Sequence, residues 1–261
     1  MPEGIEIEYY RREAEKTIAR TIVAVEANDH YYLKGQTTTE RLQKALVGKQ
    51  LLKSRRIGKL LLLDVDGGDA LGLRFGMTGR IIVDDVAVIE SLEYSSKRNN
   101  PAWDRFIIKF YGGGSMHIRD PRRLGGVELN PNVSEFGYDL YAITGRELFG
   151  VLAGSSRPIK ARLMDQSEVA GLGNLLTDEI LWRASIDPRR PADSLDQKER
   201  RRLYSHFTKT ITELTSQGGS HTGNLQDHRV HGGLCPRHGI PLERYRIGGR
   251  TTYSCPEHQK R

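Results

Sequence analysis

The chain has 261 residues, of which 37% are hydrophobic and 28% charged, a composition typical of a globular protein that can bury its own core. No apolar run approaches the roughly 20 residues of a membrane span, and the N-terminus lacks the basic-then-apolar pattern of a signal peptide. We therefore expect a protein of a bacterial-type cytoplasm or of a nucleus. The net charge of +7 and the sequence pI near 9.4 favour a polyanionic partner such as nucleic acid, although a basic surface can also serve solubility alone.

The first half of the chain is predicted to be mostly β. A helix is expected over residues 6–20, where Ile7, Tyr10, Ala14 and Ile18 recur at helical spacing. From 21 to 130 the chain has short apolar or β-branched runs separated by Gly, Asp and Asn, at 60–65, 71–75, 81–83 and 106–111. This pattern predicts an antiparallel β-sandwich or barrel.

The second half changes character twice. Residues 131–145 have the composition of a linker, and helical patterns follow near 145–153, 157–165, 174–185 and 196–216. The tail from 227 to 261 consists of short β-like pieces rich in Gly, His and Arg. We therefore expect an α+β multidomain protein with an N-terminal domain over 1–130, a linker over 131–145, a helical domain over 146–226 and a small module over 227–261.

The small module carries a metal-binding pattern. Both cysteines of the chain open the same motif, Cys235-Pro-Arg-His238 and Cys255-Pro-Glu-His258, and sixteen residues separate the two motifs. Two thiolates and two imidazoles complete the tetrahedral ligand set of a structural zinc ion. A disulfide, or two buried thiols beside incidental histidines, is the alternative, but a cytosolic setting disfavours the disulfide. The intervening residues, with glycines at 248 and 249, suit a β-hairpin.

The N-terminus begins Met1-Pro2-Glu3-Gly4. Removal of the methionine leaves Pro2 as a free secondary amine, and an α-amino group titrates near about 7.7–8.0, so part of it is neutral at physiological pH. A secondary amine that attacks a sugar C1′ gives a cationic iminium, which is a strong electron sink. Glu3 and Glu6 are carboxylates close enough in sequence to move protons. Because Met-Pro starts are common, this segment indicates catalysis only together with the rest of the chain.

Taken together, these motifs resemble, in order and over nearly the whole chain, the formamidopyrimidine-DNA glycosylase / endonuclease VIII family of DNA glycosylases. The resemblance implies an N-terminal β-sandwich flanked by helices, a helix–two-turn–helix domain and a β-hairpin zinc finger. It assigns Pro2 as the Schiff-base nucleophile and Glu3 as the general acid/base. The run Arg55-Arg56-Ile57-Gly58-Lys59 resembles the family's basic strand entry, which assigns to Lys59 a phosphate contact that assists the chemistry.

The resemblance also assigns residues that contact DNA. Segments 75–79 and 120–125 look like the family's two void-filling loops, so Met77, Arg122 and Leu124 are expected to enter the base stack when a damaged nucleotide is extruded. The segment 169–174 resembles the helix–two-turn–helix signature, in which we expect Asn174 to cap the following helix and the helix-terminal amides to bind phosphate. The expected DNA-binding residues are Lys160, Arg122, Arg123, Asn174 and Arg250, among which Lys160, Arg123 and Arg250 are expected to contact phosphates.

Three positions and one loop depart from the family's pattern. Ile5 stands where the family usually has a second proline, the zinc ligands are Cys/His/Cys/His rather than four cysteines, and Leu124 replaces a bulky aromatic wedge. The path from 218 to 235 is shorter than the loop with which formamidopyrimidine glycosylases cap a flipped 8-oxoguanine. Met77, the 120–123 motif and the helix–two-turn–helix signature resemble the formamidopyrimidine branch of the family, which implies oxidised purines as substrates. Gly4 and the short loop resemble the endonuclease VIII branch, which prefers oxidised pyrimidines.

The resemblance therefore implies a base-excision-repair enzyme, a monomer that acts on damaged double-stranded DNA near the nucleoid. It would remove oxidised bases, with formamidopyrimidines or other oxidised purines preferred, and then cleave the strand by β,δ-elimination. The alternatives are an endonuclease VIII-like preference for oxidised pyrimidines, a non-catalytic protein that binds damaged DNA on the same scaffold, and a zinc-ribbon RNA-binding protein. The last two leave Pro2, Glu3 and Lys59 without a purpose.

Overall fold

The computed structural model describes residues 2–89, 98 and 100–260. These residues form two compact units. Pro2 and Glu6–Ser134 belong to the first unit, and Glu3–Ile5 and the residues from Glu135 onward belong to the second. Helix α1 (Gly4–Glu15) therefore contributes its first residues to the second unit and the remainder to the first. The helix ends before position 20, because Lys16 and Thr17 already turn back on carbonyls of its last turn.

The first unit is built on two four-stranded antiparallel sheets. One sheet has the order β1-β6-β7-β5, with β1 at Ile22–Glu26, β5 at Arg80–Val83, β6 at Asp104–Phe110 and β7 at Ser115–Arg119. The other has the order β2-β3-β4-β8, with β2 at Leu51–Ile57, β3 at Leu60–Val65, β4 at Ala70–Arg74 and β8 at Gly126–Leu129. Buried side chains from both sheets form one hydrophobic cluster. The predicted β-sandwich is thus confirmed.

Alternation of side chains along the strands explains this core. In β6, Phe106, Ile108 and Phe110 are buried, and the residues between them are more exposed, as expected for a strand with one face against a core. In β3, by contrast, Leu60–Leu63 are all buried. A strand that reads as a continuous apolar run is covered on both faces.

Helix α2 (Thr39–Leu46) lies in the region where the sequence predicted only strands. The Thr38 hydroxyl accepts a hydrogen bond from the backbone N–H of Arg41 and caps this helix, and Leu42 and Leu46 are its buried side chains. A capping threonine and a leucine pair four residues apart are helix signals. The sequence analysis missed this helix because it has only eight residues, most of them polar, which is too short for a clear helical periodicity.

The second unit contains the helices predicted from the sequence: α3 (Gly145–Leu152), α4 (Ile159–Leu163), α5 (Asn174–Arg183) and α6 (Gln197–Gln217). Two short strands, β9 (Tyr138–Asp139) and β10 (Val169–Ala170), pair in parallel. Strand β9 lies inside the segment predicted as a linker, so part of that segment is ordered by pairing. Helices α3 and α6 begin with capping boxes, at Thr144/Glu147 and Asp196/Glu199.

The C-terminal hairpin has the expected form. Strands β11 (Glu243–Ile247) and β12 (Arg250–Ser254) pair in antiparallel register from Ile247↔Arg250 to Glu243↔Ser254. Trp182 of α5 packs into a small cluster with both cysteines and Tyr253. Among the described residues, no helix combines the length and the apolar character needed to cross a membrane.

Candidate functional site

The carboxylate of Glu3 binds the N-terminus of helix α5 within the second unit. The backbone N–H groups of Gly173 and Leu176 donate to Oε2 at 2.9 and 3.2 Å, and that of Leu175 donates to Oε1 at 2.8 Å. Glu3 is 0% exposed. Three amide donors and the positive end of the helix dipole stabilise the anionic carboxylate. Glu3 is therefore held in one orientation as an anion.

Glycine is required where Glu3 meets this helix. A Cβ at Gly173 would lie 2.2 Å from the Glu3 Cδ atom. At the other side of the contact, the Gly4 N–H donates to the Gly171 carbonyl at 2.9 Å, and a Cβ at Gly4 would lie 2.0 Å from the Leu140 side chain. The two glycine-containing motifs of the sequence, one at the chain start and one in the helical domain, thus meet each other.

Asn174 does not cap helix α5, so this prediction is wrong. Gly173 occupies the N-cap position, where no side-chain cap bond is made, and Asn174 is the first helical residue. The amides expected to bind phosphate, those of Gly173, Leu175 and Leu176, are occupied by Glu3. The Asn174 Oδ1 atom is buried and has no hydrogen-bond partner among the described residues, so this amide keeps hydrogen-bonding capacity.

Lys160 lies in the interior rather than at a surface. Its side chain is 0% exposed, and its ammonium is 2.6 Å from Oδ1 of Asp178, which is also 0% exposed. The ammonium also donates to Oγ1 of Thr252 at 2.8 Å and to the carbonyl of Thr251 at 3.3 Å. Burial lowers the pKa of Lys160, and the Asp178 carboxylate opposes that shift. A direct phosphate contact, as the sequence predicted, does not agree with this placement.

Arg250 is exposed and belongs to the strand that the Lys160 ammonium contacts. It is the first residue of β12, after the Gly248-Gly249 turn, and it lies next in sequence to Thr251, whose carbonyl Lys160 contacts. Arg250 lines a cavity of about 210 Å³ together with Arg157 and Asp165. Asp165 pairs with Arg157 at 2.9 Å, so a carboxylate already neutralises that guanidinium group.

The catalytic candidates of the first unit are Pro2 and Lys59. Pro2 is buried. Lys59 occupies, with Gly58, the two-residue turn between β2 and β3, whose register closes at Ile57↔Leu60. Gly58 has a φ of +56°, as two-residue hairpins require. Arg56 donates to the Gly58 carbonyl at 2.9 Å, which fixes the turn that presents Lys59.

The two loops predicted to fill the void also lie in the first unit. Met77 is half-buried in the turn between β4 and β5, and Leu124 is 49% exposed. Arg122 is exposed, and Arg123, with a φ of +57°, forms two hydrogen bonds of 2.6 Å to Asp29. The Arg123 hydrogen bonds lower the pKa of Asp29. Arg123 would have to exchange Asp29 for a phosphate in order to bind DNA.

The C-terminal module holds a cluster that could bind a metal ion. The ligand atoms of Cys235, Cys255 and His258 all lie within 4.8 Å of one another. The His258 Nε2 atom is 3.1 Å from the carbonyl of Trp182, and its Nδ1 is buried with no partner in the described part of the chain. A histidine with one nitrogen on a carbonyl and the other unpaired beside two thiols is arranged as a metal ligand. These residues therefore fit the ion.

His238 was predicted as the fourth ligand and lies at the edge of this cluster. It is exposed, and its ring stacks on that of His258 with centroids 5.0 Å apart. The three-residue cluster does not include it.

Sequence reasoning missed Trp182. Its indole N–H donates to Sγ of Cys235 at 3.4 Å, and its carbonyl faces His258. Burial alone would raise the pKa of the Cys235 thiol, but this indole N–H and nearby backbone N–H groups outweigh burial and lower it. A tryptophan in a helix that is buried on all sides gives no sequence signal of a contact to cysteines more than fifty residues away.

Matches to known domain families and to whole relatives agree with this architecture. Residues 1–127 match the model of the formamidopyrimidine-DNA glycosylase N-terminal domain, and residues 140–225 match the formamidopyrimidine-DNA glycosylase H2TH domain. The formamidopyrimidine-DNA glycosylase of Thermus thermophilus is 32% identical over 285 residues, covering 98% of this chain and 97% of that protein. The one from Cereibacter sphaeroides (strain KD131) is 31% identical and covers 98% and 90%.

Solved structures extend the match to the whole chain. Wild-type Lactococcus lactis Fpg in complex with DNA containing N7-benzyl-Fapy-dG is 27% identical, with a TM-score of 0.83 and coverage of 100% of both chains. The same protein bound to DNA with an abasic site has a TM-score of 0.82 at 26% identity, covering 99% of this chain and 100% of that one. From these matches over both halves, the chain belongs to the formamidopyrimidine-DNA glycosylase family.

Proposed function

We propose that this protein is a bifunctional DNA glycosylase and abasic-site lyase that removes oxidised bases from double-stranded DNA. The observation that carries the proposal is the anchored carboxylate of Glu3, which three amides hold next in sequence to Pro2. A nucleophilic amine followed by an oriented carboxylate is what displacement of a base from a deoxyribose requires.

The chemistry proceeds from these two residues. The neutral nitrogen of Pro2 attacks C1′, and the N-glycosidic electron pair leaves with the base, which takes up a proton. The Glu3 carboxylate accepts the proton that the Pro2 nitrogen loses on attack and passes it to the ring oxygen O4′. The C1′–O4′ bond then breaks, which gives an iminium between Pro2 and C1′. Loss of a C2′ proton expels the 3′ phosphate, and a second elimination expels the 5′ phosphate. Hydrolysis of the iminium returns free Pro2.

DNA contacts are assigned to four basic side chains and to one side-chain amide. Lys59, Arg122, Arg123 and Arg250 supply positive charge for phosphates, and the side-chain NH2 group of Asn174 donates a neutral contact. Met77, Arg122 and Leu124 fill the space of the extruded nucleotide. We assign to Lys160 a supporting role, because its ammonium holds the strand that begins with Arg250.

We propose one structural zinc ion in the C-terminal module. Cys235, Cys255 and His258 are its ligands, and His238, which stacks on His258, completes the set after a small rotation of its side chain. When bound, zinc supplies folding energy to the hairpin that carries Arg250 and takes no part in the reaction itself.

Oxidised purines are the proposed substrates. The relatives are named formamidopyrimidine-DNA glycosylases, and wild-type Lactococcus lactis Fpg has been crystallised with DNA containing N7-benzyl-Fapy-dG. Oxidised pyrimidines are the second candidate, because the same Lactococcus protein also binds DNA with an oxidised pyrimidine and because the segment from 218 to 235 is short. The protein is proposed to act as a monomer.

Borohydride trapping across a panel of lesion duplexes tests the proposal. The enzyme, with loss of Met1 verified by intact mass, is incubated with each duplex and with sodium borohydride, which reduces an iminium to a stable adduct. We expect adducts on oxidised-purine and abasic duplexes, and none with Pro2→Gly or with a blocking N-terminal tag. Tight lesion binding without any adduct would instead assign the non-catalytic alternative.

A further inference from the structure

A buried carboxylate joins the two loops that are proposed to fill the DNA void. We call residues 75–79 the Met77 loop and residues 120–125 the Leu124 loop. Asp120 opens the Leu124 loop and is 0% exposed. Its Oδ1 accepts from the Thr78 hydroxyl at 2.5 Å and from the Arg122 N–H at 3.2 Å, and its Oδ2 accepts from the Gly125 N–H at 2.9 Å. One side chain thus binds both loops.

The backbones of the two loops also touch. Gly76 has a φ of +57°, and a Cβ at this position would lie 2.4 Å from the carbonyl carbon of Leu124. The Gly79 N–H donates to the Phe75 carbonyl at 2.8 Å and closes the Met77 loop. The backbones of Gly76 and Leu124 are therefore in direct contact, and a side chain at position 76 would not fit between them. This contact places Met77, the next residue, close to the Leu124 loop.

The start of the Leu124 loop is also hydrogen-bonded to residues around the start of strand β6. The Asp120 N–H donates to the Trp103 carbonyl at 2.9 Å, and Nε of Arg105 donates to the Asp120 carbonyl at 2.9 Å. Thr78, like Asp120, is 0% exposed. Because both the backbone N–H and the backbone carbonyl of Asp120 are hydrogen-bonded, its carboxylate is a fixed acceptor.

We infer that Asp120 and Thr78 are positioning residues that hold Met77, Arg122 and Leu124 as one preformed wedge. The inference rests on the proposed function, because it assumes that these three side chains enter the stack. Insertion of separate flexible loops would add the entropy of ordering each one to the cost of unstacking, whereas a preformed wedge has its loops ordered before DNA binds. Hydrogen bonds to a carboxylate are stronger than those between neutral groups, so they can hold the two loops together while the side chains enter the base stack.

The test removes the link without removing bulk. Thr78→Val deletes the hydroxyl at nearly constant shape, and Thr78→Ser restores it. Thr17→Val is the matched control, because Thr17 is also 0% exposed and its hydroxyl donates to a carbonyl, that of Ala14, in the same unit. Strand cleavage is measured on an abasic site in duplex and in single-stranded DNA, since single-stranded DNA has no stack to fill. Fluorescence of 2-aminopurine opposite a tetrahydrofuran site reports insertion without chemistry.

We expect Thr78→Val to lower the duplex-to-single-strand cleavage ratio and the rate of the 2-aminopurine signal by about tenfold, the size of one such hydrogen bond. Thr78→Ser should recover both, and Thr17→Val should change neither. An unchanged ratio and signal in Thr78→Val, or equal losses in Thr17→Val, would overturn the inference. A wild-type enzyme without any lyase activity would refute the proposed function alone, because the fluorescence signal still decides whether the two loops act as one wedge.

Discussion

At the scale of single residues, the sequence identified Glu3 but not what holds it. Composition and motif order pointed to a carboxylate beside the N-terminal amine, whereas the cap on α5 joins positions about 170 apart in the chain. A capping carboxylate normally lies within four residues of the amides it binds, so local reading assigned the cap to Asn174. The same limit applies to Lys160, because a lysine in a Pro-Ile-Lys run gives no sign of a buried Asp178 partner.

Substitution of Glu3 by glutamine should separate base removal from strand cleavage. The amide loses the negative charge at the start of α5 and cannot transfer a proton, so we expect base excision to fall by roughly 10²–10⁴-fold, abasic-site cleavage to fall much less, and stability to fall by about 1 kcal/mol. Single-turnover rates on lesion and abasic duplexes measure the two steps.

The control for this variant is Asp196→Ala, which removes the capping carboxylate of helix α6 in the same unit. It should cost a similar amount of stability and leave both rates unchanged. Equal losses in excision and in abasic-site cleavage for Glu3→Gln would contradict the role assigned to Glu3.

Salt dependence distinguishes the two basic residues near the hairpin. Arg250→Ala removes an exposed phosphate contact, so the slope of log K against log salt for lesion DNA should become shallower by about 0.9. Lys160→Met should leave the slope unchanged and lower stability by about 3 kcal/mol, because it breaks a buried ion pair, although Asp178 keeps Arg229 at 3.0 Å. A shallower slope for Lys160→Met at constant folded fraction would restore the phosphate contact predicted from the sequence.

At the scale of elements, helix α5 connects the candidate carboxylate with the metal cluster. Its N-terminus binds Glu3, and its last turn carries Trp182, which contacts Cys235 and His258. Ten residues at 1.5 Å each set the distance between these two ends at about 15 Å. The apolar spacing of this segment predicted the helix correctly, but its ends are occupied by partners that only tertiary structure brings near. Helix α2, by contrast, is specified by local signals, but they span too few residues to be recognised in the sequence.

Trp182→Phe should loosen the metal. The substitution keeps most of the packing against the cysteines and deletes the indole donor to Sγ of Cys235. Since such donors support the thiolate form, we expect metal affinity to fall by about 10–100-fold, measured as zinc release to a chromophoric chelator. Trp103→Phe, in the first unit, should leave release unchanged, and an unchanged rate in Trp182→Phe would show that the indole hydrogen bond does not support the site.

At the scale of the whole molecule, the chain divides its chemistry between two units that each have their own core. The sandwich carries Pro2, Lys59 and both loops that are proposed to fill the void, whereas the second unit carries Glu3, Asn174, Arg250 and the candidate metal cluster. Periodicity predicted both cores, because alternating strands and amphipathic helices bury their apolar faces wherever they lie. It could not assign Glu3–Ile5 to the second unit, because that assignment depends on Gly4 meeting Gly171.

Removal of the metal should therefore affect one unit and spare the other. The chain has two tryptophans, Trp103 in the sandwich unit and Trp182 beside the metal ligands, so in Trp103→Phe the emission reports the metal site alone. Chelation should shift that emission to longer wavelength and abolish lesion binding, because the hairpin that carries Arg250 loses the ligation energy that folds it. The far-ultraviolet β signal of the sandwich should persist, and added zinc should reverse both losses. Emission and DNA binding that survive complete removal of the metal would show that Cys235, Cys255 and His258 hold the module together by packing alone.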